Sequence, residues 1–447
     1  MLPALFTDLY ELTMAQAYRA EGMDQTAVFE LAYRKLPEHR NFTLAGGLSD
    51  ALRYLSQFQF TAEELSWLKG QPGFSESFVA SIENLRFTGD VYAIAEGTPV
   101  FPHEPLLQVI APIAEAQLVE TALLNLIHFQ SLVLTKAARV VSAAKGRVVV
   151  DFGSRRAAGR DAALSVARAT YLAGGHGTSN VLAGKMWGIP LFGTMAHSYI
   201  QAHETEAGAL EAFASLYPET TLLVDTYDTL EGVRLVIGLK RRLGDLFRVS
   251  AVRLDSGDLA ALARETRGML DEAGLKDVTI FASSGLDEYQ VARLVESGAP
   301  IDGFGVGTKL AVCADAPELD MAYKLVEYAG KGRFKLSRSK ILYPGRKQVF
   351  RQFRNSHMAG DMIGRFDEDL PGFPLLRPVM LAGKAEALPD LDESRRHLQR
   401  ELDQLPKELL SLEAAAQPYP VTFSKRLQDD LEALREQVTP FLPAPAR

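Results

Sequence analysis

His197 lies in the run Gly188-Ile-Pro-Leu-Phe-Gly-Thr-Met-Ala-His-Ser-Tyr199, where a short apolar segment breaks into a Gly-Thr loop. A histidine there can serve as a general base, a metal ligand or a phosphoryl acceptor through one ring nitrogen. It can equally be a structural residue with a satisfied hydrogen bond, and His176 and His203 are rival candidates nearby. Its company gives it weight. Five other apolar runs end in polar groups: Asp151-Phe-Gly-Ser-Arg-Arg156, Asp225-Thr-Tyr-Asp228, Arg253-Leu-Asp-Ser-Gly-Asp258, Ser283-Ser-Gly285 and Gly305-Val-Gly-Thr-Lys309.

These clusters divide into anion holders and acids, the set needed for a magnesium-assisted reaction of a phosphorylated substrate. Gly305, Gly307 and Thr308 can present N–H groups and a hydroxyl to phosphate, as can Ser283, Ser284 and Gly285. Either loop can also be a plain strand-to-helix turn. Arg155, Arg156 and Arg253 offer fork-shaped donors for a carboxylate or phosphate, the alternative being ion pairs with Asp258 or Asp151. Asp225, Asp228, Asp255 and Asp258 can hold magnesium, orient a histidine or stabilise a positive ribosyl centre. Asp228 and Asp258 are also placed to cap helices. Phe152 can stack on a flat ring or simply end a strand in the core.

The elements that must position these groups show in the hydrophobic pattern between about residues 133 and 309. Candidate strands fall at 148–152, 190–193, 221–224, 249–254, 278–282 and 303–306. Candidate helices at 162–172, 204–215, 230–243, 259–273 and 287–297 follow them, each with a cap-like or acidic residue near its start. Repeated βα units in one direction imply a parallel sheet, doubly wound or closed into a barrel, whose functional groups gather at the carboxyl ends of the strands.

Outside this region the texture is mixed. Residues 1–132 read as an α+β region, with a helix at 8–20, extended segments at 27–34 and 90–101, and a hairpin-type connection at 96–99. Segments 322–333 and 335–342 read as strands rejoining it, with further extended chain at 374–381. Residues 393–412 and 424–438 read as charged helices, and the Pro/Ala-rich stretch 440–447 as a frayed end. The domain reading is 1–132, a barrel at 133–320, a return segment at 321–384 packing with the first region, and a helical extension at 385–447.

Composition narrows the class. With 447 residues, 47% of them hydrophobic, the chain can bury a substantial core. A net charge of -8 argues against a general nucleic-acid binder, so any anion site is local. Cys313 is the only cysteine, which removes an intrachain disulfide or a Cys-rich metal site and suits a reducing compartment. No basic leader or long apolar run is present, and the expectation is a cytoplasmic protein without a membrane span.

Taken together, Thr7-Asp-Leu-Tyr-Glu-Leu-Thr-Met14, DFGSRR at 151–156, GTSNVLAG at 177–184, GTMAHS at 193–198, RLDSGDL at 253–259, GVGTKL at 305–310 and LLRPVMLAG at 375–383 resemble the nicotinate phosphoribosyltransferase family. The resemblance implies an irregular TIM-like α/β barrel with a smaller α+β domain formed by both ends of the chain, in a head-to-tail homodimer with active sites at the subunit interface. It implies transfer of the phosphoribosyl group of 5-phosphoribosyl 1-pyrophosphate to nicotinate, for NAD biosynthesis. ATP is then a co-substrate, Mg2+ the metal, and a transient phosphohistidine on His197 the link, which places the activity in the ligase class.

By the same resemblance Tyr10, from the partner subunit, and Phe152 flank the pyridine ring. Thr194 and Arg253 lie near nicotinate, and Arg155 or Arg156 at the carboxylate or phosphoribosyl group. Ser283, Ser284, Gly285, Gly305, Gly307 and Thr308 hold the phosphate. Asp225 and Asp255 face the ribose, Mg2+ and His197. Related nicotinamide enzymes carry an aspartate where this chain has Ser179. Such an anion would repel a carboxylate substrate, so Ser179 favours nicotinate over nicotinamide.

Rival readings differ in residues. Quinolinate transfer would also release carbon dioxide. A sugar-phosphate aldolase or isomerase would want a lysine at a strand end, where only Lys309 qualifies. A non-catalytic nucleotide binder would be expected to have lost charged members of the strand-end set, which this chain retains.

Overall fold

The structure, a computed structural model, describes residues 2–335 and 342–438. The chain forms two compact units, one from Val133–Pro317 and one from Met1–Leu132 with Glu318–Arg447.

The first of these holds six short strands: β1 (Val148–Asp151), β2 (Gly177–Thr178), β3 (Thr221–Leu223), β4 (Ala251–Leu254), β5 (Thr279–Ala282) and β6 (Gly303–Val306). They form one sheet in the order β2-β1-β6-β5-β4-β3, with every neighbouring pair parallel. Buried Val149, Val150, Leu222, Leu223, Val252, Leu254, Ile280 and Phe304 explain why these runs become interior strands, since a parallel sheet is covered on both faces.

The sheet curls toward a ring that the backbone ladder does not complete. The expected strand at 190–193 contributes a single bridge, Leu191 to Thr178. Pro190 has no N–H to give a longer ladder, although its carbonyl accepts from Thr178 and Phe192 N donates back to the Thr178 carbonyl. At the remaining gap the Thr194 hydroxyl donates to the Thr221 carbonyl of β3. The result is an irregular α/β barrel closed by a side chain.

Seven helices fill the connections in chain order: α1 (Arg160–Leu172), α2 (Val181–Trp187), α3 (His197–Gln201), α4 (Glu206–Leu216), α5 (Thr229–Leu243), α6 (Leu259–Glu272) and α7 (Glu288–Glu296). A short α8 (Thr308–Ala311) follows β6. Side-chain caps from Asn180, Thr205, Asp228, Asp258 and Asp287 accept orphan N–H groups and so fix where α2, α4, α5, α6 and α7 begin.

In the other unit, strand Thr26–Tyr33 lies antiparallel between Pro105–Pro112 and Met321–Tyr328, and Arg377–Leu381 pairs antiparallel with Asp90–Ala93. Both ends of the chain therefore share one seven-stranded sheet. Glu120–Ala143 is one continuous helix whose residues are divided between the two units.

Several local expectations change. The turn at 96–99 is no hairpin, because Asp90–Ala93 and Pro99–Val100 belong to different sheets. Residues 322–333 split into Met321–Tyr328 and Lys331–Gly332 around Ala329 and Gly330, both at positive φ, as a two-residue hairpin turn requires. The helix expected at 393–412 is Leu391–Gln404, ended ahead of Pro406 and followed by a 3-10 turn at Lys407–Leu410. Of the segment 335–342, residues 336–341 lie outside the described residues, as does 440–447.

Candidate active site

The polar clusters converge at the carboxyl ends of β1 and β3 to β6, with His197 opening α3 beside them. His197 Nδ1 lies 3.2 Å from Thr226 Oγ1, and Nε2 lies 3.8 Å from Asp255 Oδ2, within ion-pair reach but beyond hydrogen-bond length. His176 and His203 are committed to backbone groups, the Val149 amide and the Tyr199 carbonyl.

Asp255 and Asp225 join three neighbouring strand ends. Asp225 Oδ2 accepts from Asp255 N at 2.9 Å and from Ser256 Oγ at 2.7 Å, while Asp255 Oδ1 accepts from Ser283 Oγ. Asp225 Oδ1 is buried with no hydrogen-bond partner. Leaving a buried acceptor unmade costs about 1–3 kcal/mol, more when it is charged. That oxygen therefore fits a cation or a ligand donor, and Asp225 with Asp255 suits Mg2+, which takes one or two carboxylates and completes its shell with water and phosphate.

On the cationic side Arg253 is unspent in part. Its Nη2 donates to the Met195 carbonyl at 3.3 Å, while Nε is buried without a partner. Burial pulls its guanidinium below the usual arginine value, Asp255 and Asp225 oppose this, and the charge of Arg155 adds to it. Arg155 and Arg156 sit exposed on the 3-10 turn Ser154–Arg156. Neither pairs with Asp151 or Asp258. Asp151 is fully buried and accepts from Gly153 N and Thr178 Oγ1, both at 2.7 Å, and Asp258 caps α6.

The aromatic wall has a specific cause. A Cβ at Gly305 would stand 2.4 Å from the Phe152 ring, and one at Gly303 would stand 2.5 Å from the Phe281 ring. Two glycines on one face of β6 thus seat two rings side by side, 6.2 Å between centroids. Phe152 remains half-buried and can present ring surface to a ligand.

This corrects two sequence readings. Gly305 lies inside β6 beneath Phe152 and serves as a seat for a ring, not as part of a phosphate loop. Ser283 is buried, its N–H donates to the Leu254 carbonyl and its hydroxyl to Asp255, so it has no donor left for phosphate. Ser284 and Gly285 are exposed at positive φ, +96° and +61°, and Gly307 with exposed Thr308 opens α8. The Thr194 hydroxyl is used in closing the barrel, and exposed Ser179 follows β2, its N–H donating to the Asp151 carbonyl. Tyr10 lies exposed on helix Leu9–Ala20 of the other unit. Burial, then the carboxylates of Glu120, Glu11 and Asp8, push its phenol above the usual tyrosine value, and it hydrogen-bonds to Glu120.

One carboxylate escaped the sequence reading. Glu206, the first residue of α4, has a buried Oε1 without a partner, and burial followed by the charges of Asp225 and Asp228 raises its carboxyl. In sequence it is an ordinary acid in a first helical turn, with no spacing to single it out.

Residues 148–336 match the nicotinate phosphoribosyltransferase (NAPRTase) family, 5–128 its N-terminal domain and 373–431 its C-terminal domain. A Mycobacterium tuberculosis protein, nicotinate phosphoribosyltransferase pncB2, is 57% identical over 438 residues, spanning 98% of this chain and 95% of its own. The chain belongs to the nicotinate phosphoribosyltransferase family. A Bacillus subtilis nicotinate phosphoribosyltransferase is 43% identical over 377 residues, spanning 82% of this chain and 77% of its own. The crystal structure of human nicotinic acid phosphoribosyltransferase superposes with a TM-score of 0.87 at 32% identity, covering 96% of this chain and 99% of that one. The barrel and the smaller domain formed by both chain ends are thus the nicotinate phosphoribosyltransferase fold. No helix among the described residues is long and apolar enough to cross a membrane.

Proposed function

We propose that this chain forms nicotinate mononucleotide and pyrophosphate from nicotinate and 5-phosphoribosyl 1-pyrophosphate, and couples the transfer to ATP hydrolysis through a phosphate carried on His197. The observation that carries this reading is the strand-end network His197, Asp255, Asp225 and Arg253, in which a buried carboxylate oxygen and a buried guanidinium nitrogen both lack partners. Family membership supplies the substrate class.

In the transfer, the bond between the anomeric carbon and pyrophosphate breaks as the pyridine nitrogen forms its bond to that carbon. No protein nucleophile is needed. Arg253, with Arg155 or Arg156, neutralises the nicotinate carboxylate and the phosphoribosyl group. Phe152 covers one face of the pyridine, and Tyr10 of the partner in a head-to-tail dimer covers the other. Ser284, Gly285, Gly307 and Thr308 take the 5-phosphate. Asp225 and Asp255 face the ribose and would hold Mg2+, which supplies charge neutralisation for the departing pyrophosphate. Ser179, neutral and exposed, leaves a carboxylate substrate unopposed.

For ATP coupling, Asp255 beside Nε2 favours the tautomer with the proton on that nitrogen, leaving the Nδ1 lone pair as nucleophile. Nδ1 attacks the γ-phosphorus and ADP departs; water later takes the phosphoryl group as inorganic phosphate. The added negative charge biases the site toward its substrate-binding state. The reaction belongs in the cytoplasm.

The deciding experiment incubates the protein with Mg2+, 5-phosphoribosyl 1-pyrophosphate and either nicotinate, nicotinamide or quinolinate, with and without ATP. Nicotinate mononucleotide formed fastest, with phosphate release stimulated by nicotinate, is the expected result. Faster turnover of nicotinamide or quinolinate would overturn the substrate, and transfer indifferent to ATP would overturn the coupling.

A further inference from the structure

Among the described residues of the barrel, Lys309 is the lysine that lies just past a strand's carboxyl end, and the transfer reaction proposed above does not use it. Its ammonium donates to Asp287 Oδ2 at 2.9 Å. Lys309 directly follows Gly307 and Thr308, while Asp287 follows Ser284 and Gly285 by two residues. The ion pair therefore ties together the two loops to which the phosphate is assigned.

The backbone provides no such tie. Strands β5 and β6 pair only at Phe281 with Gly303 and at Ala282 with Phe304. Past Ala282 the two chains leave the ladder, just where the loops begin. Ser284 and Gly285 then run at positive φ, so the loop's path must be held from its far end.

That far end is anchored. Asp287 Oδ1 accepts from Gln290 N at 2.8 Å, and the Gln290 side chain returns to Asp287 N, a reciprocal cap at the start of α7. Glu288 is fully buried and accepts from Lys136 and from Arg139 Nε, while Arg139 Nη2 reaches the Tyr289 hydroxyl at 3.0 Å. The start of α7 is thus a fixed post, and the second oxygen of Asp287 is the attachment point for the Gly307–Thr308 loop. The Lys309 side chain is 42% exposed, so the pair adds little to global stability. Its consequence is geometric.

We propose that Asp287 and Lys309 are positioning residues that set the separation of the Ser284–Gly285 and Gly307–Thr308 loops, and with it the affinity for a sugar 5-phosphate; this rests on the reaction proposed above. Neither residue contacts the substrate. The test is a double-mutant cycle in the full chain with Lys309→Met, Asp287→Asn and the pair combined, plus Lys309→Arg. Asn keeps the cap acceptor and removes the charge. Dissociation constants for 5-phosphoribosyl 1-pyrophosphate come from calorimetry, alongside KM for both substrates and thermal melting.

The expected result is an increase of about 5- to 50-fold in Kd and KM for 5-phosphoribosyl 1-pyrophosphate in each single variant. The double variant should be no worse than either single one, Lys309→Arg should stay near wild type, KM for nicotinate should hold, and melting should fall only by the small margin that an exposed ion pair supplies. If Lys309→Met costs as much again in the Asp287→Asn background, the lysine binds phosphate directly and the proposal fails. It also fails if neither single variant weakens binding. Wild-type turnover on nicotinate with unchanged variants rejects the ion-pair role alone, whereas wild-type protein that neither binds nor uses 5-phosphoribosyl 1-pyrophosphate rejects both readings.

Discussion

Gly305→Ala tests whether the aromatic wall is built as described. The new methyl carbon would stand 2.4 Å from Cδ2 and Cε2 of Phe152 and 3.3 Å from Cε1 of Phe281. Carbon atoms rest at about 3.5–4.0 Å, so the Phe152 ring has to move by roughly 1 Å or more. Sideways retreat is blocked by Phe281, itself seated on Gly303, and β6 is held between β1 and β5, so the ring must swing outward. Overpacking of this kind costs about 1–3 kcal/mol, which for a unit of this size is about 2–12 °C in Tm. Losing a stacked ring, worth about 0.5–1.5 kcal/mol, should raise KM for nicotinate about 2- to 13-fold while leaving that for 5-phosphoribosyl 1-pyrophosphate near wild type. The control is Phe152→Ala: with the ring gone, adding Gly305→Ala should change Tm little. Thermal melting and steady-state kinetics on the four proteins read this directly. Additive losses, or a Gly305→Ala protein that melts and binds nicotinate like wild type, would refute the role given to the glycine.

Three further outcomes are expected. His197→Ala should abolish incorporation of label from γ-labelled ATP and the ATP stimulation of transfer, while keeping weak ATP-independent transfer; intact stimulation would remove the phosphate from His197. Mixing Tyr10→Ala with His197→Ala subunits should restore about a quarter of the ATP-stimulated activity, because half of the dimers form one intact site of two; no recovery after proven subunit exchange would place Tyr10 outside the partner's site. Burial raises the Asp287 carboxyl, but hydrogen bonds from Gln290 N and Lys309, with the Lys309 charge, hold it below the usual value on balance. Its stabilising contribution is therefore complete above the ordinary carboxylate value of about 3.9 and is lost as pH falls through the lowered folded value. The urea midpoint of Asp287→Asn should trail wild type slightly at pH 7, start to close the gap as pH falls through about 3.9 and meet wild type only below the lowered folded value; a gap of unchanged size at that acid end would contradict this linkage.

The barrel was legible because its strands are apolar runs alternating with capped helices, and local chemistry decides both. Asp228 and Asp258 show the point, since each accepts N–H groups at a helix start through contacts within three residues. What stayed hidden depends on neighbours distant in sequence. Helix Glu120–Ala143 gave no amphipathic stripe because residues 130–140 are buried all round, and such a helix has no polar face to set its period. In GVGTKL the glycines look alike, yet Gly305 is fixed by an aromatic ring that arrives from β1, while Gly307 stands at a helix start. Ser283 resembled Ser284 until Asp255, 28 residues away, claimed its hydroxyl.

That last bond bears on how ATP and phosphoribosyl binding could be linked. Asp255 Oδ2 faces His197 and Asp255 Oδ1 holds Ser283, whose next two residues form the loop assigned to the 5-phosphate. One carboxylate therefore touches the proposed phosphate acceptor and the root of the phosphate loop. A phosphoryl group on Nδ1 would displace the Thr226 hydroxyl and turn or shift the imidazole, and Asp255 would feel both the movement and the new charge. Its response is constrained, because its own N–H is fixed to Asp225 and its second oxygen to Ser283. Movement transmitted through that pair reaches Ser284 and Gly285, where positive φ makes the backbone sensitive to small displacements. Coupling over such a path needs no domain motion, only that the loop hold two arrangements whose balance the charge on His197 shifts.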